Sequence, residues 1–262
     1  MDGTGSGADV PPVTRFYEWE CERFLGEQRR DVQWYRRLAA EAGGPVLELA
    51  SGAGRISVAL AAEGHEVVGL DLQPYLLERA EEHARRRGVE ARCAFVRGDM
   101  RGFALGRRFP LILLPYNSLG YLLAEEEVAA CLGAVAAHLR PGGLFALQIT
   151  PFEAREPGRP RGFLASGPCE DGRLEMYERV EADPARHITH YDEEYHLRRP
   201  GRPPLLFRQR LSLRSWYRAD LERLLAGRGL TVRAVLGDFD GRPHPLPGAP
   251  DGRVLFETVA PG

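Results

Sequence analysis

Between Val46 and Leu60 the chain reads "VLELASGAGRISVAL". An apolar strand pattern empties through Ser51-Gly52-Ala53-Gly54 straight into a helical pattern. Glycines at such a turn adopt backbone conformations closed to residues with a β-carbon, and they let a ligand come close. A helix that starts there aims free N–H groups at that ligand. The stretch therefore marks the entrance of a nucleotide-type site on an α/β scaffold. It does not complete the dinucleotide fingerprint G-x-G-x-x-G/A, because Ser57 stands at the third position. Taken alone, a structural strand-to-helix turn accounts for it equally well.

The flanking sequence repeats the alternation. Residues 14–44 read as one or two amphipathic helices, with Asp31 placed to cap the second. Strands are expected at "PVLELA", "HEVVGLDL", "RCAFVRGD", "PLILLPY" and "GGLFALQI", with helices at 53–63, 74–87 and 124–139 between them. Such alternation implies a parallel sheet covered by helices on both faces, and short all-apolar strands such as "LILL" suit burial on both sides. At Pro151 the character changes. "PFEAREPGRPRGFLASGPCEDGR" reads as irregular, and three alternating stretches follow, "LEMYERVE", "HITHYDEEYHL" and "LFRQRLSLRSW". These predict an antiparallel insert, after which a helix at 217–227 and two strands complete the main sheet. The expected organisation is a flexible leader over 1–12, N-terminal helices plus ligand-binding core over 13–150, the insert over 151–215, and completion of the core over 216–262.

Composition narrows the function. All 35 cationic residues are arginine, which removes lysine chemistry, including Schiff bases and a P-loop lysine. The formal net charge is −2 with the arginines dispersed, so no footprint for nucleic acid is visible. Cys21, Cys93, Cys131 and Cys169 stand singly, without metal-ligand or redox spacing. No apolar run approaches the ~18 residues of a membrane span, and the first dozen residues lack the features of a signal peptide. A cytoplasmic enzyme is the expectation. In the insert, His187, His190, Tyr191, Glu193, Glu194, Tyr195 and His196 offer imidazoles and carboxylates to an amine, or simply form the outer face of a small sheet; their spacing fits no metal site.

Further motifs follow the glycine turn in order. Asp71 ends the second strand in "VVGLDL", where a carboxylate can accept from both hydroxyls of a ribose. Asp99 and Met100, in "VRGDM", end the third strand, with a carboxylate suited to an exocyclic amine and a thioether beside it. Pro115, Tyr116 and Asn117 emerge after "LILL", beside the glycine turn in a doubly wound sheet. Glu48 to Arg55, Asp71, Gly98-Asp99-Met100, the Pro115–Leu122 stretch and "LRPGG", in this order, resemble a class I S-adenosylmethionine-dependent methyltransferase. The resemblance covers about residues 30–150 and lies nearest the small-molecule branch with glycine/sarcosine-type and sugar-amine N-methyltransferases. Ala50-Ser51 departs from the commoner Gly or Ala followed by Cys or Thr.

That resemblance implies a Rossmann-like, mostly parallel seven-stranded sheet carrying S-adenosylmethionine. By position, Glu48, Ala50, Ser51, Gly52 and Gly54 would line its methionine and ribose, Asp71 would hold the ribose, and Leu72 would pack on the adenine. Asp99 and Met100 would meet the adenine edge and face, and backbone carbonyls of Pro115, Tyr116 and Asn117 would receive the ammonium. Arg55 is a candidate for the methionine carboxylate or the substrate, or a surface arginine. Methyl transfer needs alignment more than a base, so the catalytic candidates are only the groups near the methyl: Tyr17, Tyr116 and Asn117, with Tyr121 behind them. The expected reaction is methyl transfer to a small molecule, at N before O, without metal, nucleic acid or membrane, with the insert as a lid that selects the acceptor. The competing readings are a nicotinamide oxidoreductase and an S-adenosylmethionine-binding protein without methyl transfer.

Overall fold

The computed structural model describes residues 12–24, 30–150, 158–237, 239–240 and 254–261. They fall into two compact units, one of residues 1–28 with 156–213, the other of 29–155 with 214–262.

The larger unit, the core, is a seven-stranded sheet. Five strands run parallel: β1 (Val46–Leu49), β2 (Val67–Asp71), β3 (Cys93–Arg97), β4 (Phe109–Leu114) and β5 (Leu139–Ile149). The sheet is completed by β10 (Thr231–Leu236) and β11 (Val254–Val259), in the order β3-β2-β1-β4-β5-β11-β10, with β11 antiparallel to both neighbours. The expected mostly parallel, doubly wound sheet is present. Alternate residues of β4 go to opposite faces: Ile112 and Leu114 pack with α6 (Glu125–His138) and α7 (Arg218–Ala226), Leu111 and Leu113 with α3 (Arg30–Ala42) and α4 (Arg55–Ala61). Burial on both sides is why that strand carries no polar residue. The strand order reverses at β1 and β4, which places a crevice at their carboxyl ends. The remaining helix, α5 (Pro74–Arg87), packs Ala80 and Ala84 inward.

The smaller unit is a four-stranded antiparallel sheet, β6 (Arg159–Cys169), β7 (Gly172–Asp183), β8 (Ile188–Arg198) and β9 (Leu205–Arg214), with α1 (Pro12–Arg15) and α2 (Tyr17–Phe24). The last three strands follow the expected alternation. β6 is a correction, since its sequence reads as irregular. Pro160 and Pro168 are tolerated because β6 is an edge strand, and the pairing with β7 shifts register between Arg159 and Gly162 and between Phe163 and Ala165.

The helices preceding the core also sit differently from the sequence grouping over 13–150. Helices α1 and α2 cluster with the four-stranded sheet. Trp19 Nε1 donates to the Pro168 carbonyl at 3.1 Å, and Phe16 lies 5.1 Å from the Tyr195 ring. Phe16, Trp19, Leu174, Met176, Tyr195 and Leu197 form the apolar core of this unit. An amphipathic helix pattern gives the buried face but not the sheet that covers it. Residues 1–11 of the expected leader lie outside the described residues, and Pro12 opens α1.

Candidate functional site at the carboxyl ends of β1 to β4

The turn after β1 is built from left-handed residues. Ala50 has φ 51°, Gly52 54° and Gly54 77°. A non-glycine residue in this region costs on the order of 1–2 kcal/mol and persists only where its surroundings fix it. Ser51 N–H donates to the Leu70 carbonyl at 3.1 Å and Gly54 N–H to the Ser51 carbonyl at 3.0 Å. The two glycines serve different ends. A β-carbon on Gly54 would stand 2.9 Å from Ala80 Cβ and 3.1 Å from Phe95 Cζ, so this glycine lets α5 and β3 approach the turn. Gly52 instead presents its N–H, which donates to Asp71 Oδ2 at 2.8 Å.

Asp71 therefore joins two strand ends. Its Oδ1 accepts from Gln73 N–H at 2.9 Å, shaping the entry to α5. Burial raises its carboxyl above the usual range, and the N–H groups of Gln73, Gly52 and Leu72 oppose that shift. A carboxylate offers about four lone-pair positions, so these three backbone donors leave room for one further donor. Beside it, Leu72 is 52% exposed, an apolar side chain held out at the crevice.

Glu48 is buried beneath the turn, and its Oε2 accepts from Ser57 N–H at 2.8 Å and from the Ser57 hydroxyl. Ser57 is the third residue of α4, and the residue capping that helix, Gly54, has no side chain to offer. The strand carboxylate thus caps the helix from below. Burial pushes the Glu48 carboxyl up to about 7 against the opposing Ser57 hydrogen bonds and the Arg55 charge. Both oxygens of Asp31 are taken by Arg55, at 3.1 and 2.5 Å, and Asp31 Oδ1 also accepts from Val32 N–H. Asp31 lies inside the first turn of α3 rather than capping it, and Arg55 ties that helix to the glycine turn.

At the end of β3, Arg101 covers Asp99. Its backbone N–H and guanidinium donate to both carboxylate oxygens at 2.6–3.1 Å, and the guanidinium continues to Glu127 Oε1 at 2.6 Å. The Arg101 hydrogen bonds hold the Asp99 carboxyl below the usual range. Met100 packs, partly buried, against the core.

At the end of β4, Tyr116 and Asn117 are consecutive left-handed residues, φ 55° and 57°. Gln148 Oε1 accepts from Tyr116 N–H at 3.3 Å, and Asn117 Oδ1 accepts from Thr150 N–H at 2.8 Å. The Pro115 carbonyl accepts from both Ser118 N–H, at 3.1 Å, and Ser118 Oγ, at 2.7 Å. Ser118 thus meets both lone pairs of this carbonyl. Tyr116 and Tyr121 are 41% and 48% exposed.

The core thus brings Glu48, Ala50, Ser51, Gly52, Gly54, Asp71, Leu72, Asp99, Met100 and 115–117 to one edge of the sheet. Tyr17 belongs to the other unit, on α2. Of the insert residues, His190 Nδ1 meets Ser212 Oγ at 2.7 Å and His196 Nε2 meets Glu194 Oε1 at 2.7 Å, while Glu193 and Tyr195 are buried on the sheet's inner face. Sequence reading missed Gln148, whose signal was a polar residue in an otherwise apolar strand, and Arg101, for which position two after Asp99 gave no signal. Among the described residues no helix is long and apolar enough to cross a membrane.

A methyltransferase domain family model matches residues 46–143. A dTDP-3-amino-3,6-dideoxy-alpha-D-glucopyranose N,N-dimethyltransferase of Streptomyces fradiae is 32% identical over 234 residues, 83% of this chain and 77% of that protein. The chain belongs to the S-adenosylmethionine-dependent methyltransferases. A dTDP-3-amino-3,4,6-trideoxy-alpha-D-glucopyranose N,N-dimethyltransferase of Streptomyces venezuelae is 27% identical to the methyltransferase over 258 residues, 93% of this chain and 94% of the other. The fold of the methyltransferase also matches an S-adenosylmethionine-dependent methyltransferase from Clostridium acetobutylicum, with TM-score 0.81, 17% identity and coverage of 95% and 99% of the two chains. The enzyme uses S-adenosylmethionine and methylates a small molecule. Its site suits that cofactor: a half-exposed Leu72 stands next to the Asp71 carboxylate, and the buried Ser51 hydroxyl has no hydrogen-bond partner among the described residues.

Proposed function

We propose that this methyltransferase methylates the amino group of a nucleotide-linked amino sugar. The observation that carries this is the reach of the alignments. The family model ends at residue 143, whereas the Streptomyces venezuelae relative aligns over 93% of the chain, leaving too few residues out to skip the accessory sheet. Likeness in the cofactor half speaks only to the cofactor, because fold and site do not fix the acceptor. Likeness through the accessory unit speaks to the acceptor. On the same ground, residues 151–215 serve as a lid whose inner face selects the acceptor. The dispersed charge argues for a small acceptor rather than nucleic acid, and four cysteines that form no disulfide suit the reducing cytoplasm.

S-adenosylmethionine supplies an electrophilic methyl group on a positively charged sulfur. Held in the site, it would supply that methyl group to the acceptor nitrogen and leave as the neutral thioether, the nitrogen's proton going to solvent. The residues' part is to hold the reactants in line and exclude water. Asp71 would hold the ribose, Leu72 and Met100 would flank the adenine, and Asp99 would face the adenine edge. Ala50, Ser51 and Gly52 would line the methionine side, Ala50 and Gly52 with left-handed backbone. Glu48, Gly54 and Arg55 would act by building that turn. Tyr17, Tyr116 and Asn117 are the candidates for groups beside the methyl.

A panel of dTDP-linked 3-amino sugars, free amino sugars, amino acids and phenolic acceptors, followed by mass spectrometry of S-adenosylhomocysteine and methylated product, tests the assignment. Stepwise addition of one and then two methyl groups to the sugar nucleotides is the expected result. Turnover of the amino acids or phenols with none of the sugar nucleotides would overturn it.

A further inference from the structure

Three side chains of the accessory unit, two of them buried and one half-buried, make more hydrogen-bond contacts than their ionised forms can satisfy. The hydroxyl of Tyr195, on β8, lies 2.5 Å from Glu20 Oε1 of α2 and 2.7 Å from Glu193 Oε2 of its own strand. Tyr195 is fully buried and Glu193 nearly so. A phenol has one proton and donates once. With both carboxylates ionised, one of these short contacts would set lone pair against lone pair in a site where an unmet polar contact is costly. One carboxyl therefore keeps a proton and donates to Tyr195. Gln209 of β9 decides which. Its amide nitrogen donates to Glu193 Oε2, the same oxygen that meets Tyr195, so Glu193 is the acceptor and Glu20 carries the proton.

The charges beside this chain of three groups lie on β7 and β6. Glu178 of β7 stands directly opposite Glu193 in the strand register, buried and paired with Arg159 of β6. Like charges opposite each other destabilise a sheet, and a second ionised carboxylate at Glu20 would add to that repulsion. The cations of the helices are turned elsewhere: Arg15 of α1 pairs with Asp171 at 2.9 Å, and Arg23 of α2 lies over the Trp19 ring at 5.4 Å. On the apolar side Phe16 covers the Tyr195 ring.

We propose that one proton, held on Glu20 and relayed as a hydrogen bond through Tyr195 to Glu193, latches α2 onto the four-stranded sheet, and that losing it releases the helix. Burial, reinforced by the Glu193 and Glu178 charges, pushes the Glu20 carboxyl up to about 8, against the opposing Tyr195 hydrogen bond. The docked helix therefore favours the protonated acid. Its contribution to stability is full below the ordinary value of 4.5, declines as pH rises, and is gone above about 8. The latch stays shut at neutral pH and opens in mild alkali.

Trp19 on α2 reports the latch, and the other two tryptophans, Trp34 and Trp216, lie in the core unit. The full chain is labelled with 5-fluorotryptophan, Trp19 is assigned with Trp19→Phe, and fluorine NMR is followed from about pH 6 to about pH 10. The Trp19 resonance is expected to move with a midpoint near 8, while Trp34 and Trp216 stay fixed. Glu20→Gln keeps a donor to Tyr195 and has no proton to lose, so it should hold Trp19 at its low-pH position throughout. A Trp19 resonance that does not move in the wild type, or one that moves with an unchanged midpoint in Glu20→Gln, overturns the proposal. Neither readout involves the acceptor or the cofactor, so the result is independent of the activity assigned above.

Discussion

Asp71 gives the sharpest test of the site, because one substitution separates its observed task in the turn from its proposed task on the ribose. Its oxygens accept from Gly52 N–H at 2.8 Å and Gln73 N–H at 2.9 Å, and a carboxylate has about four lone-pair positions in all. In Asp71→Asn the amide oxygen keeps one backbone donor, and the amide nitrogen faces the other N–H. Losing one charge-assisted hydrogen bond costs about 1.5–3 kcal/mol. For a chain of this size a loss of about 2 kcal/mol lowers the melting temperature by roughly 4–8 °C. If the carboxylate also holds the ribose, a second loss of similar size falls on the cofactor, and the dissociation constant rises about tenfold to a hundredfold. Calorimetric titration with S-adenosylmethionine and a melting curve on the same sample read the two effects separately. A lower melting temperature with cofactor affinity within about twofold of wild type would refute the ribose assignment and leave Asp71 as a builder of the turn.

Substitutions at three further residues probe the surroundings. The Glu48 carboxyl, raised from 4.5 to about 7 by burial, favours the protonated folded state, so its contribution to stability is present below 4.5 and lost as pH rises to about 7. Glu48→Gln keeps an acceptor for Ser57 and should flatten that part of the profile in urea unfolding; parallel profiles would show that the carboxyl is ionised throughout. Arg55→Met breaks the pair with Asp31 and should cost about 1–3 kcal/mol of stability while leaving cofactor affinity within about threefold; a collapse of affinity without thermal loss would return Arg55 to the ligand. Asp99→Asn should weaken cofactor binding modestly and Asp99→Ala more, since the alanine leaves neither the adenine amine nor the Arg101 N–H an acceptor; equal affinities would make Asp99 only the anchor of Arg101.

The core was legible because its physics is local and repeated. An all-apolar strand such as "LILL" can only be buried on both faces, and each strand emptied into a helix at glycine, proline or a short polar break. The accessory unit was half legible. Alternation exposed β7, β8 and β9, but β6 hid behind Pro160 and Pro168, residues an edge strand accepts and a central one does not. The place of α2 was not legible at all. Trp19 finds its partner at Pro168 and Phe16 at Tyr195, across a separation that no window of residues spans.

At the site, residue types were readable before their tasks. The sequence pointed to Glu48, Gly54 and Arg55 as contacts to a ligand, because they flank a ligand-binding turn. The structure gives each of them a neighbour within the protein: Ser57 at the head of α4, Ala80 on α5, and Asp31 on α3. A left-handed alanine at position 50 shows why so much machinery gathers there. A turn that holds a β-carbon at positive φ resists relaxation only when hydrogen bonds and packing fix it from several sides. Asp71 and Gly52 do so across the strands, Glu48 from below, and Gly54 by letting α5 close in. A pattern in one dimension marks such a turn by its composition. Which carboxylate supports the backbone and which faces the ligand is settled only by the direction each side chain takes in three.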